Sequence, residues 1–141
     1  MAIPVQVTFD CADPSRVAEF WGDLLGYIAP PPPEGDSWEE FLEKAGVPRE
    51  EWNRADARED PEGKGPRLFF QRVPEDKTVK NRVHLDVTVA PGLKGDERRR
   101  KLDSEAERAI SLGAREIARR EDLGSDWIVM QDPEGNEFCL Q

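Results

Sequence analysis

The chain has a single histidine, His84, in the run KNRVHLDV, with Asp86 two residues further on. Imidazole titrates near neutrality, and in its neutral form it is a common metal ligand. Two readings of His84 stand side by side. It is either a metal ligand or a donor and acceptor lining a cleft, or it is an imidazole satisfied by its strand and loop neighbours. Cys11 and Cys139 are the only thiols, and they form no CxxC pair and no local metal spacing. Each reads as a small buried side chain, because no basic neighbour in sequence lowers its pKa. Two thiols in a chain of this length make no disulfide framework, so a reducing, cytoplasmic compartment is expected.

The charge balance narrows the partners. Thirty acidic residues against twenty basic ones leave a net charge of -10. No basic face for nucleic acid is expected, nor attraction to an anionic membrane surface. No apolar run approaches the ~18 residues of a membrane span. At 141 residues a single domain is expected, burying roughly 68–70% of its unfolded surface.

The elements that must position these residues follow from periodicity. VQVTFD alternates Val5, Val7 and Phe9 with Gln6, Thr8 and Asp10, as a half-buried strand does. Asp13 and Pro14 then supply an N-cap and a first helical residue. Val17, Phe20, Trp21 and Leu24 recur at helical spacing until Gly26 stops the helix. Four prolines in APPPPEG break the pattern, because each removes a backbone donor. DSWEEFLEKAG predicts a short helix capped by Ser37, and VPREEWN a further helical turn. Residues of about 29–66 read as an elaboration of a loop or strand pair, too poor in apolar residues for a core of its own. Trp38, Phe41 and Trp52 in this stretch either roof a cleft or pin the insertion to the body. RLFFQRV is the next strand, with Gln71 and Phe69 on one parity.

The second half repeats the first. RVHLDVTV predicts a strand in which Leu85, Val87 and Val89 alternate with His84, Asp86 and Thr88. A helix over residues 96–112, with apolar positions at Leu102, Ala106, Ala109 and Ile110, ends in Leu112-Gly113 as the first ends in Leu25-Gly26. REIARR, DWIVMQ and EFCLQ predict three strands, the last two joined by the turn DPEGN. Strand, helix, Leu-Gly and strands, written twice, is an internal duplication of a βαβββ unit. Module one spans about residues 1–74 and module two about 80–141, within one domain of 1–141. The polar strand faces would meet in a cleft between the repeats.

The segments ADPSRVAEFWGDLLGY, PRLFFQRV, KNRVHLDV and DPEGNEFCLQ, in this order over nearly the whole chain, resemble the glyoxalase-like domains of the vicinal oxygen chelate superfamily. That superfamily includes glyoxalase I, extradiol dioxygenases and bleomycin-resistance-type binding proteins. The resemblance implies an α+β fold in which two βαβββ modules form a U-shaped cleft, the glyoxalase/bleomycin resistance/dihydroxybiphenyl dioxygenase fold. It also implies assembly as a homodimer. Metal enzymes of the superfamily take His or Gln, Glu, His and Glu from the first and last strands of each module. Carried over by position, these sites fall on Gln6, Gln71, His84 and Cys139, so both carboxylates are missing. The resemblance therefore implies a divalent metal, Zn, Fe, Mn or Ni, only through the set His84, Gln6 and Cys139, with Asp86 or Glu137 as further donors. The glutamate that acts as base when glyoxalase I moves a proton next to a carbonyl has no clear replacement here, which disfavours an isomerase of that mechanism. Gln6, Thr8, Asp86, Gln71 and Trp38 are the expected cleft-lining residues. The expected function is binding of a small organic molecule in the inter-module cleft. The alternatives are a metal-dependent lyase or dioxygenase and a drug-sequestering resistance protein.

Overall fold

A computed structural model describes residues 1–141. The chain folds as two compact units, Met1–Asp76 and Lys77–Gln141.

The first unit opens with β1 (Gln6–Cys11) and α1 (Pro14–Leu25). Asp13 caps α1 by accepting the Arg16 amide hydrogen at 3.3 Å, and Gly26 ends it at φ 72°, a conformation that costs glycine nothing. α2 (Trp38–Lys44) and a 3₁₀ segment (Arg49–Arg54) follow, then β2 (Ala55–Arg58) and β3 (Arg67–Arg72). The strands form a three-stranded sheet in the order β1-β3-β2, with β1 parallel and β2 antiparallel to β3. Residues on one parity close the core against α1. Phe9 lies 5.2 Å from the Trp21 ring and 5.1 Å from Phe70, and Leu68 and Phe70 are buried. The opposite parity carries Gln6, Thr8 and Asp10 beside Arg67, Phe69 and Gln71.

This unit departs from the expected βαβββ pattern. The strand that should follow α1 is reduced to a single bridge, Ile28 to Glu59. Ile28 and Glu59 exchange both backbone hydrogen bonds at 2.9 Å. Pro30 and the three prolines after it have no N–H to continue the ladder. Within the stretch read as an insertion, residues 55–58 supply the edge strand β2. The 3₁₀ segment is tied to the start of α1 by Asn53. Its side-chain oxygen accepts from the Ser15 amide and hydroxyl at 2.8 and 2.7 Å, and its amide donates to Asp13 at 2.8 Å.

The second unit carries the full pattern: β4 (Leu85–Val87), α3 (Gly95–Ser111), β5 (Arg115–Asp122), β6 (Ser125–Gln131) and β7 (Glu137–Leu140). The sheet order is β4-β7-β6-β5, with β4 parallel to β7. Leu102, Ala106 and Ala109 of α3 are buried, as are Ile128, Met130, Phe138 and Leu140 of the sheet. Ile110, expected on the apolar stripe, is instead exposed. Its position next to Ala109 rotates it about 100° off the buried line of a helix. The β4 strand is shorter than expected, so His84 precedes it and is exposed. Asp132 anchors the β6–β7 turn. Its carboxylate accepts from the Glu134 and Asn136 amides at 2.9 and 3.0 Å and from the Asn136 side chain at 2.9 Å. No helix is long and apolar enough to cross a membrane.

Candidate functional site

Two groups of polar side chains lie on the sheet faces turned away from the helices, one in each unit.

In the second unit the parallel pairing of β4 with β7 sets Asp86 opposite Cys139. His84, just before β4, keeps the parity of Asp86, and its Nδ1 lies 2.7 Å from Asp86 Oδ1. A ring that donates from Nδ1 to this carboxylate is held in one orientation by it. The imidazole and the carboxylate are both exposed, whereas Cys139 is only 8% exposed. Burial, then the charge of Asp86 and the hydrogen bond to it, push the Cys139 thiol up to about 11, against a small opposing pull from Lys80. Asp86 is therefore a hub that accepts from both the imidazole and the thiol.

One ligand atom from each of His84, Asp86 and Cys139 lies within 4.8 Å of the others. Nitrogen, oxygen and sulfur donors at this separation fit a borderline-soft divalent ion such as zinc, which takes imidazole and thiolate ligands readily. A hard ion would prefer an all-oxygen set. Such an ion would have to displace the thiol proton, since the thiolate is the ligand. Glu137 is not part of this group. Its carboxylate takes the Asn81 amide at 3.0 Å and the Lys77 ammonium at 3.2 Å, and these contacts, against burial, hold it below the usual carboxylate range.

In the first unit β1 and β3 bring Gln6, Thr8 and Gln71 to one sheet face. Gln6 is engaged within that face: its side-chain oxygen accepts from Arg67 at 2.7 Å, and its amide reaches Thr8 at 3.4 Å. Gln71 donates to Asp10 at 2.7 Å. Trp38 belongs to α2. Its indole donates to the Pro30 carbonyl at 2.7 Å and meets the Phe41 ring edge-on at 5.7 Å, tying the helix to the polyproline run. The sequence reading passed over Arg67. Its signal was parity, since it alternates in step with Phe69 and Gln71.

A depression of about 250 Å³ in the second unit is lined by Arg99, Leu102, Arg119 and Asp126, among others. It holds none of the predicted ligand or cleft residues. Two of its three arginines are already engaged, Arg119 by Glu116 and Asp103 and Arg99 by Asp96.

The family model of the glyoxalase-like domain matches residues 6–141. No curated protein matches the chain. Among solved structures, the fosfomycin resistance protein FosX from Mesorhizobium loti is 14% identical, with a TM-score of 0.63, over 100% of this chain and 91% of its own. A glyoxalase/bleomycin resistance protein/dioxygenase family enzyme from Burkholderia phytofirmans PsJN is 16% identical, with a TM-score of 0.61, over 96% and 94%. A mutant FosX from Listeria monocytogenes, complexed with Mn(II) and 1S,2S-dihydroxypropylphosphonic acid, is 11% identical, with a TM-score of 0.64, over 100% and 92%. At these identities the likeness shows the fold.

Proposed function

Because the chain belongs to the glyoxalase-like domain family, within the vicinal oxygen chelate superfamily, we propose that it binds a small organic molecule on the polar faces of its sheets. The observation that supports this most is the pair of polar sheet faces. Each core closes on the helix side of its sheet, yet the other side carries hydrogen-bonding groups in register: Gln6, Thr8 and Gln71 in one unit, Asp86 beside His84 in the other. Neither core needs them: all five are exposed, and a small number of placed polar groups is what orients a ligand. In this reading Gln6, Thr8, Gln71 and Trp38 in the first unit and Asp86 in the second are the ligand-contacting residues. The protein in this reading works as a cytoplasmic homodimer, and light scattering should give a single species of twice 16.0 kDa. A fragment screen by protein NMR in the presence of a chelator tests the reading. Bound fragments should move the amide resonances of Gln6, Thr8 and Gln71, or of Asp86. A screen in which no fragment moves them would overturn it.

A second reading, a metal-dependent lyase or dioxygenase, is favoured by the closeness of His84, Asp86 and Cys139 donor atoms. Here His84, Asp86 and Cys139 would hold the metal, which would supply Lewis-acid polarisation of a ligand oxygen. The protein should then take up about one zinc per chain and gain thermal stability from it. His84→Ala should lose both, and a metal-free protein indifferent to added Zn, Fe, Mn and Ni rules the reading out.

A further inference from the structure

Three arginines in the chain are half-buried: Arg58, Arg67 and Arg98. Arg58 holds Asp56 at 2.6 Å and Arg98 holds Asp126 at 2.6 Å. Arg67 has no carboxylate. Its Nη1 donates to the neutral side-chain oxygen of Gln6 at 2.7 Å, and its guanidinium carbon lies 5.6 Å from the centre of the Phe69 ring. Half-burying a cation without a counter-charge is unfavourable. It is the more unusual in a chain with thirty acidic residues and twenty basic ones.

The contacts fix the guanidinium without neutralising it. Gln6 takes one of its five N–H donors, and the Phe69 face restrains its plane through a cation–π contact. The remaining donors keep the planar fork that matches a carboxylate or phosphoryl oxygen pair. Gln6, Thr8 and Phe69 share the same sheet face, so a ligand there meets a cation, two hydrogen-bonding side chains and one apolar ring.

We propose that Arg67 is an anion anchor, and that the ligand carries a carboxylate, phosphoryl or phosphonyl group held by its guanidinium, with an apolar portion against Phe69. This rests on the small-molecule reading above and names the charge of its ligand. Arg67 then supplies the specificity for an anion, Gln6 acts as a positioning residue that sets the guanidinium, and Phe69 selects for an adjoining apolar group.

The test uses the full chain and three matched probes, benzoate, phenylphosphonate and the neutral benzamide, followed by amide resonances and by melting temperature. At least one of the two anions should bind saturably, moving Gln6, Thr8, Arg67 and Phe69. Benzamide should bind about tenfold more weakly, as expected for the loss of one charge-assisted contact. Comparison of benzoate with phenylphosphonate separates a carboxylate ligand from a phosphorus oxyanion. Arg67→Gln should abolish the preference for anions, Arg67→Lys should keep part of it, and Gln6→Ala should weaken it while leaving the net charge unchanged. Each variant must retain the dispersed spectrum of the wild type. If it does not, the Arg67→Lys and benzamide comparisons still read the charge preference. Benzamide binding at this face as tightly as the anions would overturn the anchor and leave the small-molecule reading standing. If no probe moves these resonances, and no fragment of any charge does, both fall.

Discussion

Cys139→Ala should make the metal-free protein less sensitive to alkaline pH than the wild type. In the folded chain the thiol is raised from 9.0 to about 11, first by burial and then by Asp86. Below the unfolded value both states keep the proton, and the thiol adds no pH dependence. As pH rises from 9 towards 11 the unfolded chain ionises while the folded chain resists, so stability falls. Each unit of pKa is worth about 1.36 kcal/mol, which puts the full loss at about 3 kcal/mol and the loss at about pH 10.5 at about 2 kcal/mol. At 8% exposure the side chain has little solvent to screen it. Urea denaturation at about pH 7.5 and 10.5, with chelator and a phosphine reductant, measures the difference. Other alkaline titrations, Tyr27 and the lysines among them, act equally on both proteins and cancel in the wild-type-minus-variant comparison. Equal losses in the two proteins would refute the placement of a buried thiol against Asp86.

Asp132→Ala removes the acceptor of three hydrogen bonds in the β6–β7 turn, and should cost about 2–3 kcal/mol in denaturant melts. The β5–β6 hairpin turns through Leu123 at φ 48° and Gly124 at φ 78°, with the Leu123 side chain fully exposed. Leu123→Asn should stabilise the protein by about 0.5–1 kcal/mol, because asparagine tolerates the left-handed turn that leucine resists; an unchanged melting temperature counts against that turn. A methyl group at Gly65 would overlap the Tyr27 hydroxyl. Gly65→Ala should therefore displace the ring and lower stability by about 1–3 kcal/mol, read as a lower urea midpoint with loss of the Tyr27 signals.

Much of the architecture is local and was legible in the sequence. Asp13, Pro14 and Gly26 bound α1 because capping and left-handed termination depend on neighbours in the chain. Ser37 caps α2 for the same reason, its hydroxyl accepting the Glu40 amide at 3.1 Å. The turn at Asp132 is equally local. The expected second strand of the first module shows the limit. The prolines were visible, but that they leave only the Ile28–Glu59 bridge depends on where β2 finishes against it.

The candidate site divides along the same line. Parity alone determined that Gln6 and Thr8 share a face, and that His84 and Asp86 share another, because strand side chains alternate with period two. Which partner each would meet depended on strand register across long stretches of chain. Gln6 finds Arg67 across 61 residues through the β1–β3 pairing, and Asp86 finds Cys139 through β4–β7. Whether a guanidinium meets a carboxylate or an amide, and whether a thiol keeps its proton, is set by those encounters and by the burial around them. Only the tertiary structure decided them.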